Sequence, residues 1–291
     1  MHAQAVDDRT GPSLGSVVVP AHDEATVLLR TLNPLVELVE SGEVELVVAA
    51  NGCTDDTAEL ARTVRGAVVL ELPTASKTAA LNAADSVATR WPRVYLDADI
   101  TVSAGAIRAT LELLRRGDVL AARPAMVYAL DGSSTLVRSF YRARRRLQET
   151  DVHLWGAGVF GLSEVGRSRF GDFPGVTGDD LYVDTLFGAS EKAVIATHPV
   201  RVHAPRNVNA LLQILKRAYR GNRELNELGL VGSDQRTTWT VARQLVRSVH
   251  DARSLADALI YALIVIRARL FASRSAVEWE RDGSSRLKPA L

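Results

Sequence analysis

Short β-branched runs alternate with helical patterns along the N-terminal part of the chain. The runs predict buried strands at 16–19, 44–49, 67–72, 94–96 and 119–122. Between them, helical patterns predict helices at 28–39, 76–90 and 103–116. A further helix is predicted to begin after Thr54, which would be its N-cap. Such alternation predicts an α/β fold with a Rossmann-like, mostly parallel sheet flanked by helices.

The regularity weakens after Arg123. This region predicts a helix at 133–148, glycine-rich turns at 156–178, a short helix after Asp179 and a strand at 200–203. Five arginines lie on the first of these helices, where a solvated basic face is expected and attraction of an anionic acceptor or of acidic lipid headgroups is the alternative. They are Arg138, Arg142, Arg144, Arg145 and Arg146.

The C-terminal part carries an apolar stripe that predicts one or two amphipathic helices. Its members are Val241, Leu245, Val249, Ala252, Ala256, Leu259, Leu263, Ile266 and Leu270. We expect the stripe to pack on the rest of the protein. The alternative is a helix lying in a membrane interface, with a polar face formed by Arg253, Arg267, Arg269 and Arg274.

Net charge, cysteine content and the length of apolar runs indicate the kind of partner and the location to expect. Lys+Arg 35 against Asp+Glu 34 leaves a net charge of +1, so no nucleic-acid partner is expected. The single cysteine, Cys53, fits a reducing cytoplasm. The longest apolar run, 258–266, is far shorter than the roughly 20 residues of a membrane span. We therefore expect a cytoplasmic protein, with peripheral contact at the inner face of the membrane as the alternative.

Polar and acidic residues follow the predicted strands, at the edge where open α/β sheets bind ligands. They occupy 20–24, 51–55, 74–77 and 97–99. No GxGxxG follows the first strand, which argues against an NAD enzyme. Asp97 and Asp99 leave one strand end within reach of a single cation, and Mg²⁺ or Mn²⁺ prefers such carboxylates together with phosphate oxygens. An isolated Asp-x-Asp is usually a solvated turn, so it is the position in the fold that favours metal binding here.

Several short motifs, taken in order, resemble the family 2 glycosyltransferases of the GT-A fold. They are Val-Val-Val-Pro-Ala-His-Asp-Glu at 17–24, Asn-Gly-Cys-Thr-Asp-Asp-Thr at 51–57, Lys-Thr-Ala-Ala-Leu-Asn at 77–82, Asp-Ala-Asp at 97–99, Gly-Ala-Gly-Val-Phe at 156–160, Gly-Asp-Asp-Leu at 178–181 and the stretch 213–221. The resemblance implies a metal-dependent enzyme that takes a sugar from a nucleotide-sugar with inversion of the anomeric carbon.

The resemblance also implies a domain organisation. The glycosyltransferase domain spans 16–230, with a nucleotide-binding half at 16–123 and an acceptor and catalytic half at 124–230. A flexible leader at 1–15 precedes it, without the apolar stretch of a secretory signal. An amphipathic helical extension follows at 231–291.

The resemblance further implies roles for individual residues. Asp97 and Asp99 would bind the ribose and the metal ion, and Asp99 would be the direct metal ligand. Asp180 is the catalytic base, which suits a hydroxyl acceptor because a carboxylate must remove its proton as the new bond forms. Without the resemblance, Asp179 and Asp180 would be interpreted as acids favoured by the dipole at a helix start. The nucleotide-sugar is expected to contact Pro20, Ala21, His22, Glu24, Asn51, Lys77, Asp97, Ala98, Asp99, Gly158, Asp179, Arg217 and Arg220.

Histidine and arginine candidates complete the expected site. His203, at the end of a predicted strand, is the candidate third metal ligand, and His198 competes for that role. Arg217 and Arg220 are spaced to reach the diphosphate from one helix face, or to form a solvated basic face instead.

Three departures from the family pattern refine the expected reaction. Asn51 stands where many relatives have Asp, and Ser76 precedes Lys77 where relatives have Gly. The family's Gln-x-x-Arg-Trp appears as Gln213-Ile-Leu-Lys-Arg217 without Trp, which favours transfer of a single sugar over polymerisation. We expect a UDP-sugar donor and a hydroxyl or amine acceptor that is a small molecule, a glycan or lipid-linked. The alternatives are a nucleotidyltransferase of related fold and a non-catalytic nucleotide-binding protein.

Overall fold

The computed structural model describes residues 13–148, 152–230 and 238–272. The chain divides into two compact units, each built from segments that are separated in sequence. The first contains Met1–Ala125, Leu154–Gly175 and Ala189–Val200, and the second contains Met126–His153, Val176–Gly188 and Arg201–Leu291. The predicted leader falls largely on residues 1–12, which lie outside the described part, whereas Gly15 already belongs to the first strand.

Seven strands of the described residues form one sheet. They are β1 Gly15–Ala21, β2 Val44–Asn51, β3 Val68–Leu72, β4 Arg93–Leu96, β5 Ala121–Ala129, β6 Val159–Leu162 and β7 Lys192–His203. Their order is β3-β2-β1-β4-β6-β5-β7. Strands β1, β2, β3 and β4 pair in parallel, whereas β6 is antiparallel to β4 and β5. The mixed, mostly parallel sheet flanked by helices confirms the predicted fold class.

The helices of the first unit follow the predicted spacing with two changes. They are α1 Leu28–Leu32, α2 Val36–Glu40, α3 Thr57–Arg62, α4 Lys77–Val87, α5 Ala104–Arg116 and α7 Glu164–Arg167. The first predicted helix is divided by a 3₁₀ turn, Asn33–Leu35, because Pro34 has no amide hydrogen to continue the helical bonds. The second begins at Thr57 and not after Thr54, and the Thr54 hydroxyl donates to Asp23 Oδ1 (3.2 Å) and does not cap the helix.

The glycine-rich stretch expected to consist of turns contains two regular elements, β6 and α7. Strand β6 is buried throughout. Gly161 lies within it, where an added Cβ would come 2.8 Å from Leu114 Cδ1. The expectation of turns is therefore wrong for β6 and α7, because Gly161 serves close packing against α5 and not a turn.

The second unit is largely helical. It contains α6 Thr135–Gln148, α8 Asp179–Thr185, α9 Val208–Glu227, α10 Thr238–Arg247 and α11 Ala252–Ala272. Helix α11 packs on α6 and α9, and Phe140, Leu211, Leu215, Ile264 and Ala268 belong to their shared core. None of the described helices is both long enough and apolar enough to cross a membrane.

An ion-pair cluster fixes α11 to α6. Asp257 of α11 is 1% exposed and accepts bonds from Arg142 (2.6 Å) and Arg146 (2.8 Å). The expectation that the arginines of α6 form a solvated basic face is therefore wrong for these two, because a buried carboxylate on a helix distant in sequence binds them.

The part of the C-terminal apolar stripe that lies on α11 faces solvent, whereas we expected it to face the rest of the protein. Leu259, Leu263, Ile266 and Leu270 are exposed. The packed face of α11 carries Ser254, Asp257, Ala258, Ile264 and Ala268. The prediction that the stripe packs on the protein is wrong for α11, because this helix has apolar residues on both faces and spacing alone does not identify the inner one. Arg274 lies outside the described residues.

Candidate active site

Two loops at the carboxyl ends of β1 and β2 are bonded to each other. His22 Nδ1 lies 2.6 Å from the carbonyl oxygen of Asn51. Asp23, with a left-handed φ of 47°, accepts from the Thr54 amide, and the buried Glu24 donates its amide to Thr57 Oγ1 (2.8 Å). The structure thus brings the predicted residues 20–24 and 51–57 together at one sheet edge.

Asn51 joins three chain segments through its side-chain amide. It is 1% exposed; Nδ2 donates to the Ala21 carbonyl (2.7 Å), and Oδ1 accepts from the Ser76 amide (3.0 Å). An ionised Asp could accept but not donate, so it would leave the Ala21 carbonyl without this bond. The local hydrogen bonds therefore explain why this chain has Asn at a position where Asp was expected.

The Asp97–Asp99 segment is held by its backbone, which leaves the two carboxylates half-exposed. The Asp97 amide donates to the Gly158 carbonyl (2.8 Å). From α1, Thr31 Oγ1 donates to the Ala98 carbonyl (2.7 Å) and Arg30 Nη2 to the Asp99 carbonyl (3.2 Å). Because the backbone is fixed on two sides, the acids are presented at a defined position beyond β4.

Lys77 and Gly158 both lie next to the carboxylate of Asp97. Lys77, the first residue of α4, places Nζ 2.6 Å from Asp97 Oδ1. Gly158 has a φ of 64°, and an added Cβ would come 2.5 Å from Ile100 Cγ1 and 3.2 Å from Asp97 Oδ2. Glycine is thus required there both for its backbone conformation and for space.

The oxygen donors of Asp97 and Asp99 suit a hard divalent cation such as Mg²⁺ or Mn²⁺. A softer group of possible ligands, His22, Asp23 and Cys53, has atoms within 4.8 Å of one another among the described residues. Burial raises the pKa of the Cys53 thiol, although the Asp23 amide that donates to Sγ opposes this shift. Metal ligation requires the thiolate, so we assign no metal to this group.

The predicted base lies in the second unit, at the first turn of α8. Asp179 is buried, whereas Asp180 is half-exposed and its Oδ1 accepts from the Leu181 amide (2.8 Å). Helix α9 braces the preceding turn, because Glu224 accepts from the Thr177 amide (2.8 Å) and from Thr177 Oγ1 (3.0 Å). This bracing fixes the backbone from which α8 starts.

The remaining candidates lie on β7 and α9. His203 ends β7 and is exposed, and His198, with a φ of 53°, has its ring against Gly105 of α5. Arg217 is exposed and Arg220 half-exposed on α9. Their roles in binding metal or diphosphate stay predictions.

Sequence reasoning did not predict the contacts by which Thr31, Ser76 and Glu224 position other residues. Thr31 could have been noticed, since it is a polar residue next to the buried apolar face of α1. Ser76 carries an N-cap signal, and its Oγ accepts from the Ala79 amide (3.3 Å) at the start of α4. Glu224 gives no local signal, because its partner Thr177 is 47 positions away.

Two solved structures with similar folds are those of glycosyltransferases. A mannosyltransferase from Pyrobaculum calidifontis, solved with GDP-mannose and Mn²⁺, matches with a TM-score of 0.59 and 18% identity over 91% of this chain and 85% of that one. Glucosyl-3-phosphoglycerate synthase from Mycobacterium tuberculosis, solved with Mn²⁺, UDP-glucose and phosphoglyceric acid, gives 0.52 and 21% identity over 75% and 80%. These likenesses show the GT-A fold. No curated protein matches the chain.

The family follows from the sequence match. The model of glycosyl transferase family 2 matches residues 16–164, just over half of the chain and the whole of the Asp97–Asp99 region. The chain therefore belongs to glycosyl transferase family 2, and it is a glycosyltransferase.

Proposed function

We propose that this glycosyltransferase moves a single sugar from a nucleoside diphosphate sugar, with UDP-sugars the first candidates, to a hydroxyl or amine acceptor with inversion. The observation that carries the proposal is the Asp97–Asp99 segment, which lies within the family match and is fixed beyond β4 by Gly158, Thr31 and Arg30. The neighbours solved with GDP-mannose or UDP-glucose support a nucleotide-sugar donor. A cytoplasmic location is proposed with it, supported by the single thiol.

Donor binding is proposed to use the edge of the first unit. Asp99, with Asp97, would hold Mg²⁺ or Mn²⁺, with His203 as a further ligand. The mannosyltransferase solved with Mn²⁺ and the glucosyl-3-phosphoglycerate synthase, which is also solved with Mg²⁺ and UDP, support that choice. The ion would supply positive charge to offset the charge on the departing diphosphate. Lys77, already bonded to Asp97, adds a cation beside the same position. Arg217 and Arg220 are proposed to contact the diphosphate.

Asp180 is proposed to accept the proton of the acceptor nucleophile as it attacks the anomeric carbon. Support comes from its half-exposed carboxylate at a braced helix start and from the family resemblance of Gly-Asp-Asp-Leu at 178–181. Asp179 is buried beside it and is proposed to shape the site.

The test of Asp180 separates binding from turnover. Asp180→Asn should leave the Kd of the donor nearly unchanged and lower release of nucleoside diphosphate by about 10²- to 10⁴-fold, because the amide cannot take the proton. Asp184→Asn, on the same helix, is the matched control and should keep turnover. Calorimetry measures binding, and a coupled nucleotide assay measures release after acceptors have been screened.

Two results would contradict the proposal. Unchanged turnover in Asp180→Asn would remove this residue from the mechanism. Release of pyrophosphate in place of nucleoside diphosphate would favour the nucleotidyltransferase alternative.

A further inference from the structure

Helix α11 presents a continuous row of large aliphatic side chains on its outer face. Their exposed fractions lie between 49% and 67%, and their spacings of four, four, three and four keep them on one side of the helix. We name this row the α11 stripe: Leu255, Leu259, Leu263, Ile266 and Leu270. Single exposed leucines are common on protein surfaces, but a contiguous apolar row of this kind marks an interaction surface.

The orientation of the stripe is fixed by the opposite face of the helix. Asp257, Ile264 and Ala268 are buried against α6 and α9. The bonds from Arg142 and Arg146 to Asp257 hold that face, and turning the helix would expose this core and break both ion pairs. The stripe is therefore presented outward by the fold itself.

The exposed charges within α10 and α11 have one sign, although an exposed acid, Asp251, lies directly before α11. On α10 and α11, every exposed charged side chain in the described range is an arginine, since the acid of α11, Asp257, is buried. The arginines are Arg243, Arg247, Arg253, Arg267 and Arg269. Helix α10, which precedes α11 in the chain, also exposes Trp239 (85%) and Val246 (73%).

We propose that the α11 stripe binds an anionic lipid surface, with the helix lying in the plane of the interface. Leucine and isoleucine side chains would enter the boundary between headgroups and acyl chains. The flanking arginines would meet lipid phosphates, and tryptophan is the residue that such interfaces favour. This inference goes beyond sugar transfer and places the enzyme at a membrane.

A second copy of the chain fits the same surface less well. Pairing two stripes would bring the exposed arginines of two α11 helices together, and the exposed Asp251 before each helix supplies one acid against three arginines. An anionic bilayer supplies both the apolar layer and the opposite charge. Charge complementarity therefore favours lipid.

The experiment is sedimentation of the full chain with vesicles of phosphatidylcholine, alone or mixed with phosphatidylglycerol. The wild-type protein should bind the mixed vesicles, and binding should weaken as salt is raised. The double variant Leu259→Glu with Leu263→Glu should bind about 100-fold more weakly, roughly tenfold for each leucine lost. Arg253→Gln should weaken binding to anionic vesicles about fivefold.

A matched control uses two apolar residues that are equally exposed elsewhere. Val165 is 63% exposed and Leu228 is 57% exposed, so changing both to Glu introduces the same charge outside the stripe. This control should bind like wild type. Circular dichroism melting of each variant verifies folding, which exposed positions should leave intact.

Three results would overturn the proposal. They are absence of wild-type binding to anionic vesicles, equal binding by the stripe variant and wild type, and a dimer seen by light scattering without lipid that the stripe variant abolishes. The last would assign the stripe to a second copy. Because vesicle binding needs neither donor nor turnover, its failure leaves the proposed sugar transfer untouched.

Discussion

Gly158 combines a left-handed backbone with a crowded position next to Asp97. Gly132 also has a left-handed φ, of 77°, but an added Cβ there meets nothing within 4 Å. The two glycines therefore separate the cost of the backbone conformation from the cost of the contact.

We predict that Gly158→Ala lowers the free energy of unfolding more than Gly132→Ala does. Gly132→Ala should cost about 1 kcal/mol for its backbone, and Gly158→Ala should cost about 1–3 kcal/mol more because Ile100 and Asp97 must move. Urea unfolding measures both values. Equal costs would show that the space behind Asp97 is not limiting.

At this scale the sequence predicted residue types better than their contacts. Asp97 and Asp99 could be placed at a strand end from the alternation of elements alone. The bonds that fix them could not be predicted, because Thr31 and Gly158 reach the segment from positions 67 and 61 residues away, which no local pattern encodes. The sequence showed that Asn51 departs from the family pattern, but only the structure shows that its side-chain amide is hydrogen-bonded to both Ala21 and Ser76.

At the scale of elements, the pairing of α11 with α6 depends on one buried carboxylate. The pKa of Asp257 is lowered: burial raises it, but the bonds from Arg142, Arg146 and Ser139 together outweigh burial. A lowered pKa means that this group stabilises the folded state above the unfolded Asp pKa of 3.8. The contribution is lost as pH falls below 3.8, through the folded pKa.

We predict that Asp257→Asn lowers the free energy of unfolding by about 2–3 kcal/mol near neutral pH, because it leaves two arginines without their partner. The difference from wild type should shrink as pH falls below the ordinary Asp range. Asp131→Asn is the control, since its pair with Arg201 is exposed and should contribute less than about 1 kcal/mol. Denaturant unfolding at several pH values tests this, and a difference independent of pH would contradict it.

The elements show where apolar periodicity is sufficient. It located the first four strands and α5 within a few residues, because β1, β2 and β4 are continuous buried apolar runs and α5 has one buried face. The expectation that the strand at 67–72 is buried is wrong, because β3 lies at the edge of the sheet and Val68 is 42% exposed. Periodicity failed for α11, whose two faces are both apolar, and for β6, whose glycines resemble a turn. In both places the decisive information lies in the partner element.

At the scale of the whole molecule, the enzyme depends on segments brought together from distant parts of the chain. The first unit includes 154–175 and 189–200 in addition to the N-terminal 125 residues. Family membership and the GT-A fold were predictable, because several short motifs occur in the family's order. The donor sugar and the acceptor were not, since neither the motifs nor the fold distinguishes among them.

The most direct measurement of the central claim is the melting temperature with UDP, with and without Mn²⁺. A ligand that binds the folded state must raise this temperature. Because the ion is proposed to contact the diphosphate, Mn²⁺ and UDP together should raise the melting temperature more than the sum of the two separate rises. Asp99→Asn should remove the extra rise, while Asp118→Asn, at an exposed position after α5, should keep it. An undiminished metal-dependent rise in Asp99→Asn, or no such rise in wild type with either UDP or GDP, would contradict the account.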